Sequence, residues 1–197
     1  MGKLRIAAWS LGAALAVLVA AARPAAAKPK EKYYFEIAEL AAAEKAKEAQ
    51  AILPLVREVL AAGIAKNATL LAALPADAPD PKVDPEKFKA YLKKKHLRAF
   101  RVNVEITDYD HQLEQGPNGQ RLAVYIELRT FGETIPDRKM AFSGNGAAQI
   151  KIDVGKKLRD KDTEYANREA ATLAVDEAIA RSIKKLQEPP PGKPTRK

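Results

Sequence analysis

The segment TDYDH, residues 107–111, has the residue types in this chain that best suit chemistry. Asp108, Asp110 and His111 offer two carboxylates and an imidazole, a donor set that can bind a divalent metal ion. A metal held there could activate water, so a metal-assisted hydrolase is one hypothesis. The spacing fits no strong metal template, however, and a strand that enters a polar turn commonly ends in such residues. We therefore predict no metal ion, and keep the three residues as candidates only.

The rest of the chain contains few residues that could act as a catalytic nucleophile. There is no cysteine, and beyond residue 27 the only serines are Ser143 and Ser182. A triad of Ser143, His111 and an acid would need a nucleophile elbow, which the sequence does not show. The SGNG segment precedes no predicted helix, and the VGKK segment has Ile150 where a P-loop needs its first glycine. The sequence thus predicts neither a catalytic residue nor a cofactor, and we expect no enzyme.

A lysine-rich helix, FKAYLKKK, precedes the TDYDH segment. Nucleic-acid binding would require aromatic side chains on the same surface as the lysines, whereas Phe88 and Tyr91 fall on the stripe that should be buried. We expect a solvated helix face and no nucleic-acid partner. A weaker hypothesis remains open: Lys93, Lys94 and Lys95 could contact an anionic cell-wall polymer or lipid headgroups.

The first 27 residues have the pattern of a bacterial secretory signal. Lys3 and Arg5 precede an uncharged run over residues 6–22, and Ala25, Ala26 and Ala27 supply small residues for cleavage. Cleavage after Ala27 would leave no stable membrane span, although retention of the run as an anchor stays open. We predict export to the periplasm or the extracellular medium, and no cysteine is present for lipidation.

Residues 28–188 are predicted to form one domain, followed by a disordered proline-rich tail over residues 189–197. The chain carries 34 basic and 25 acidic residues, a net charge of +9. Without Lys3, Arg5 and Arg23 the balance is 31 against 25, or +6. This modest excess favours contact with anionic polymers or headgroups but does not specify one of them.

Three segments after residue 99 alternate between apolar and polar residues with the period of a β-strand. In each of them the even-numbered residues form the apolar face, which predicts an antiparallel sheet with one buried face and one wet face. The apolar sets are Phe100, Val102, Val104 and Ile106; Leu122, Val124, Ile126 and Leu128; and Met140, Phe142, Gly144, Gly146, Ala148, Ile150 and Ile152. Turns are predicted at residues 116–119 and 132–139.

Parity also predicts how the first two of these strands pair, because a one-residue slip would invert every side chain. In an antiparallel pair the numbers of facing residues add up to a constant, and we predict a sum near 234. This register places Glu105 opposite Arg129 on the wet face, which is a favourable cross-strand pair. On the apolar face, Gly144 and Gly146 should let a helix approach the sheet closely.

The remaining segments predict one more strand and three helices. KYYFEIAEL alternates like a strand, and an apolar stripe that starts near Leu53 predicts the first helix. Residues 69–74 fit either a strand or a helix, and we favour the strand. Asp84 and Pro85 predict the start of the second helix, with Val83 packed on Phe88 as a hydrophobic staple. The final helix spans residues 160–187, with Asp162 or Thr163 as its cap.

The element order βαβαβββα predicts an α+β fold, a two-layer sandwich of a mostly antiparallel sheet with helices on one face. The strand-helix-strand opening, the hairpin FRVNVEITDYD…RLAVYIELRTFGE, the AFSGNGAAQI strand and the terminal helix together resemble a domain of bacterial envelope proteins. That domain is shared by the curli secretion channel, the lipoprotein activators of penicillin-binding proteins and the amino-terminal domain of the Tol translocation protein. The resemblance implies a non-enzymatic, periplasmic protein that binds partners.

The favoured hypothesis is therefore an exported interaction protein of the cell envelope with an unknown protein partner. We predict that the partner contacts the wet face of the sheet and the neighbouring loops. The predicted contact residues are Arg101, Arg121, Tyr125, Arg129, Lys139 and Lys151.

Overall fold

A computed structural model describes residues 31–116, 119–155 and 157–188. The predicted signal peptide, residues 1–27, and the predicted tail, residues 189–197, lie outside the described residues. The strands are β1 (Lys32–Ala42), β2 (Leu70–Leu71), β3 (Leu97–Gly116), β4 (Gly119–Thr134) and β5 (Met140–Val154). The helices are α1 (Leu53–Lys66), α2 (Pro85–Lys95) and α3 (Asp160–Gln187), and a 3₁₀ helix (Glu44–Ile52) leads into α1.

The five strands form one mixed sheet in the order β2-β1-β3-β4-β5. β1 lies between β2 and β3 and runs parallel to both, while β3, β4 and β5 form long antiparallel ladders. The predicted α+β class, its mostly antiparallel sheet and the element order are confirmed. Leu70 and Leu71 form a strand, as favoured from the sequence, although it is only two residues long.

The pairing of β3 with β4 follows the predicted register as far as residue 106. Glu105 lies opposite Arg129, as predicted. A bulge at Thr107 then shifts the register by one residue, so that Asp108 pairs with Glu127 and His111 pairs with Val124. Beyond the bulge, the odd-numbered residues of β3 share a face with the even-numbered residues of β4. In this half of β3 the even-numbered residues therefore lie on the wet face, opposite to the pattern of the first half.

The main core lies on the face formed by the even-numbered residues of β4. α1, the 3₁₀ helix and α3 cover this face, and a bidentate contact from Arg168 to Glu58 joins α3 to α1 at 2.8 Å. α3 approaches β5 over Gly144 and Gly146, as predicted. A Cβ on Gly146 would stand 2.0 Å from the carbonyl oxygen of Ala174. The close approach lets small residues of α3 bury their backbone against the sheet: Ala166, Ala170, Ala171, Ala174 and Ala178.

The prediction that all helices lie on one face is wrong for α2. A second core forms on the opposite face, where Phe88 and Leu92 of α2 pack with Leu97 and Ala99 of β3. The first residues of β1 and β3 are apolar on both sides, since Tyr33 joins the main core while Tyr34 packs against the second core. Burying both sides requires a layer on each face, so the sandwich has three layers at this end.

The starts of the helices agree with the sequence except in two details. α2 begins after Asp84 with Pro85 at its first position, but Val83 is 81% exposed, so the predicted staple does not form. α3 begins at Asp160, ahead of both predicted caps, and Asp162 accepts a hydrogen bond from the backbone N–H of Arg159. Within the described part of the chain, no helix combines the length and the apolarity that crossing a bilayer would require.

Candidate functional site

A groove runs between α2 and the otherwise wet face of the sheet. Its volume is about 690 Å³, within the usual range for binding sites. Apolar and proline side chains form much of its walls, and charged side chains of both signs surround its opening. The apolar and proline residues are Tyr34, Leu74, Pro81, Pro85, Phe88, Ile135 and Pro136; the charged ones are Glu36, Asp80, Lys82, Glu86, Lys89, Arg101, Asp137 and Arg138.

The first wall of the groove is α2 together with the proline-rich loop that precedes it. Asp84 caps α2 by accepting a hydrogen bond from the backbone N–H of Lys87 at 3.0 Å, and this bond lowers the pKa of the Asp84 carboxyl. Asp77 fixes the loop to the helix, because it accepts a hydrogen bond from the Tyr91 hydroxyl at 2.8 Å and pairs with Lys95 at 3.2 Å. These contacts join the loop and α2 into one wall.

The second wall is the turn between β4 and β5. Its backbone is joined to β3 by the bond from the N–H of Ile135 to the carbonyl of Ala99, at 3.0 Å. Asp137 accepts a hydrogen bond from the ammonium group of Lys89 at 2.8 Å, and this bond holds the pKa of Asp137 below its usual range. The Lys89–Asp137 pair therefore spans the groove and connects α2 to the turn.

The floor of the groove comes from β1 and β3. Arg101, whose side chain is 24% exposed, lies 3.6 Å from Glu36 on the neighbouring strand. Tyr34 lies beside this pair, and burial raises the pKa of its hydroxyl, with a further contribution from the charge of Glu36. The floor thus offers a fixed guanidinium, a carboxylate and a phenol next to apolar walls. This arrangement suits binding and orientation of a ligand with both polar and apolar parts.

The structure does not bring the three candidate metal ligands together. Asp108 and Asp110 alternate on the wet face of β3, where they pair with Glu127 and Tyr125. His111 lies on the other face of the strand, with its ring 5.8 Å from the ring of Tyr109. Among the described residues, no group of three or more histidine and acidic side chains is arranged to hold a metal ion.

The candidate triad is also separated. Ser143 pairs with Phe131 on the wet face, whereas His111 pairs with Val124. The two partners, Val124 and Phe131, are seven positions apart in β4, about 24 Å along the strand. Ser182 is buried between α3 and β4, where its hydroxyl donates to the carbonyl of Ala178 at 2.7 Å. Neither serine is near the imidazole that would activate it.

The six predicted contact residues lie in different surroundings. Arg121 pairs with Asp153 on the adjacent strand β5 at 2.9 Å, and Lys151 of β5 pairs with Glu114 of β3, across β4, at 3.0 Å. Arg129 lies over the ring of Phe131 at 4.6 Å. Arg101 alone of the six lines the groove.

Tyr125 and Lys139 complete the set. Burial and the charges of Glu127 and Asp108 raise the pKa of Tyr125. Lys139 is exposed in the turn before β5, where its backbone N–H donates to Thr134. From Arg101 to Arg121 the set extends over the length of β4, about 40 Å, so it is a line along the sheet rather than one compact patch.

The groove itself was not predicted from the sequence. Its signal was present in the doubled aromatic pair Tyr33–Tyr34 and in the apolar odd-numbered residues Leu97 and Ala99. A strand start that is apolar on both sides indicates a covering layer on both sides. The second layer then leaves a groove where it ends.

No protein-family model and no curated protein matches this chain. Several solved structures are similar to this chain. A Xanthomonas campestris protein assigned to the family model DUF330 is 9% identical and has a TM-score of 0.48, over 80% of this chain and 86% of that one.

Two of the other similar structures are of bacterial proteins described as lipoproteins. One, from Caulobacter crescentus, is 12% identical with a TM-score of 0.40, over 75% of this chain and 86% of that one. The other, a minor lipoprotein from Acinetobacter baumannii, is 12% identical with a TM-score of 0.37, over 78% and 91%. With TM-scores below 0.5, no activity or partner is transferred from these proteins.

Proposed function

We propose that this protein is an exported, non-enzymatic binding protein of the bacterial cell envelope, and that it holds a segment of a protein partner in the α2 groove. The groove is the observation that carries the proposal: apolar walls, a charged rim and a floor with fixed polar groups are the features of a recognition site. The signal-like pattern of residues 1–27 supports export. The resemblance to the envelope domain of the curli and Tol proteins agrees with this proposal and stays a prediction.

The balance of charge around the groove favours a peptide segment as its occupant. Four cations and four carboxylates line it: Lys82, Lys89, Arg101 and Arg138 against Glu36, Asp80, Glu86 and Asp137. A single small anion or cation would meet like charges on part of the rim, which is unfavourable. A polypeptide can present both signs along its length together with apolar side chains for the walls.

Site-specific cross-linking in the producing cell tests this proposal. A photoreactive residue placed at Lys82, on the rim, should give a cross-linked protein product in the envelope fraction. The matched position is Lys161, an exposed residue in the first turn of α3, far from the groove. Adding Arg138→Glu to the Lys82 probe should strongly reduce the product, because a rim charge is reversed.

Two results would count against the proposal. Equal products from Lys82 and Lys161 would show that capture does not depend on the groove. The absence of any protein product at Lys82 in the whole envelope fraction would remove the groove as a partner site. Export is measured separately, by the mass of the chain in that fraction, which should correspond to a start at Lys28.

A further inference from the structure

We infer that the end of the molecule where the first and last described residues lie is a cationic surface that docks on an anionic phospholipid membrane. This surface, called here the basic end, is formed by the last turns of the three helices and the first residues of β1 and β3. Its exposed lysines are Lys32, Lys66, Lys93, Lys94, Lys95, Lys184 and Lys185. The inference is independent of the α2 groove.

Direct contacts bring these segments together. The backbone N–H of Lys32 donates to the carbonyl of His96, which ends α2, at 3.2 Å. The backbone N–H of Tyr33 donates to the carbonyl of Thr69, just beyond the end of α1, at 2.9 Å. Arg98 donates to the carbonyl of Leu186 in the last turn of α3, at 3.2 Å. The fold thus directs the C-terminal ends of all three helices to one end of the sheet.

Most of the positive charge at the basic end is not neutralised. Lys95 pairs with Asp77, Lys185 with Glu188, and Arg98 with Glu31. The other lysines have no carboxylate partner among the residues described: Lys32, Lys66, Lys93, Lys94 and Lys184. On the wet face of the sheet, by contrast, Arg121 and Lys151 are each held by an acid.

The helix dipole gives a simpler explanation for part of this pattern. Lysines in a last turn interact favourably with the free carbonyl groups of their own helix. That effect accounts for Lys66, Lys94 and Lys184 one helix at a time, but it does not account for Lys32, which begins a strand. It also does not require three helices to end on one surface, and that convergence is what concentrates the charge.

The chain that continues from this end favours a membrane as the partner. Glu31 and Glu188, the first and last described residues, both lie here, because Arg98 contacts Glu31 and the last turn of α3. The sequence beyond them adds Lys28 and Lys30 on one side and Lys193, Arg196 and Lys197 on the other. Clustered basic residues of this kind are attracted to anionic headgroups.

Vesicle sedimentation tests the inference with the chain that begins at Lys28. This chain contains both cores complete, because every core residue lies between Tyr33 and Leu186. The probes are vesicles of phosphatidylcholine alone and vesicles that also contain phosphatidylglycerol. We expect binding only to the second kind, weakening as salt is raised because the contact is electrostatic.

A triple variant of the basic end identifies the contact. Lys93→Gln, Lys94→Gln and Lys184→Gln together should weaken binding to the phosphatidylglycerol vesicles on the order of 100-fold. The matched control carries the same charge change in Lys45→Gln, Lys47→Gln and Lys161→Gln. Lys45 and Lys47 line a depression beside Asp108, roughly 30 Å along β3 from Arg98 and beyond the screening length. The control should bind within about twofold of the parent chain.

A second readout reports the orientation. Because the chain has no cysteine, a single Lys94→Cys or Lys161→Cys substitution can carry an environment-sensitive dye. Only the dye at position 94 should respond when phosphatidylglycerol vesicles are added.

Three results would each overturn the inference. One is equal binding to both kinds of vesicle, and another is an equal loss in the two triple variants. The third is tight binding to a soluble polyanion with no binding to vesicles, which would assign the basic end to an anionic polymer. The cross-linking assay tests the groove and the vesicle assay tests the basic end. Failure of one assay therefore leaves the proposal tested by the other unaffected.

Discussion

At the scale of single residues, the structure depends on how closely α3 approaches β5. Gly146 faces the helix backbone directly, and Gly144 faces the hydroxyl of Ser182. The alanines of α3 meet the sheet at these points without large side chains between them. Close packing of this kind leaves no space for an added carbon atom, so the contact is sensitive to the smallest substitution.

Gly146→Ala should destabilise the fold by about 3 kcal/mol, because the new Cβ would meet the carbonyl of Ala174 at 2.0 Å and α3 would have to move. Gly155→Ala is the control, since a Cβ there meets nothing within 4 Å, and it should change the free energy of unfolding by less than about 0.5 kcal/mol. Urea unfolding followed by circular dichroism measures both. Equal effects of the two substitutions would show that α3 does not pack as described.

At the scale of elements, α2 is the helix for which the face predicted from the sequence was wrong. Its apolar stripe was correctly identified, since Phe88 and Leu92 are buried. The stripe packs on the face opposite to α1 and α3, over the apolar residues at the start of β1 and β3. This position converts one end of a wet sheet face into a groove, so the site depends on the placement of one short helix.

Phe88→Ala should destabilise the fold by about 3–5 kcal/mol, since the phenyl ring is fully buried in the second core. Val83→Ala should have an effect below about 0.5 kcal/mol, because Val83 is 81% exposed and forms no staple. Thermal or urea unfolding of the two variants gives the comparison. A large loss of stability in Val83→Ala would show that Val83 packs on Phe88 after all, and would contradict the exposed position described for its side chain.

At the scale of the whole molecule, charges of opposite sign are separated. Among the described residues, five lysines of the basic end have no carboxylate partner, while the acids on the wet face outnumber its cations. The acids on that face include the exposed Asp110 and the partly buried Glu105, Asp108, Glu127 and Glu133. Such a distribution orients a molecule toward an anionic surface without requiring a large net charge. Where an acid is paired with a cation or a hydrogen-bond donor, the stability of the fold also depends on the ionisation of that acid.

The pH dependence of stability follows from the direction of the pKa shifts. Hydrogen bonds from lysine, arginine, tyrosine or backbone groups lower the pKa of six carboxyl groups below the ordinary values of 3.8 for Asp and 4.5 for Glu. These groups are Glu58, Asp77, Asp84, Asp137, Asp162 and Glu188. A lowered pKa in the folded state stabilises the fold above the ordinary value, and this contribution is lost as pH falls through the lowered one.

The tyrosines act in the opposite range of pH. Burial raises the pKa of Tyr34 and Tyr109 above the ordinary value of 10.0, so their contribution is present below that value and is lost as pH rises through the raised one. We therefore expect urea midpoints that are nearly constant from about pH 5 to pH 9 and that fall on both sides. A midpoint that rises on acidification below pH 4 would contradict these shifts.

The sequence by itself determined the main strands, the parity of their apolar faces as far as Thr107 in β3, the pairing of Glu105 with Arg129 and the extent of α3. These features are local, because an alternation of period two fixes on which side of its strand each residue lies. Gly144 and Gly146 were also predictable, since glycines in an apolar strand face indicate a close approach of backbone.

Only the tertiary structure decided the face to which α2 packs, the change of parity at Thr107 and the position of the groove. The physical reason is that these features depend on contacts between distant parts of the chain. A proline-rich loop can carry a helix to either face of a sheet, and a bulge of one residue leaves no trace in the composition of a strand. The convergence of three helix ends on the basic end likewise depends on the whole topology. α1 and α2 each lead into a strand that runs parallel to β1, and α3 returns along the sheet after β5.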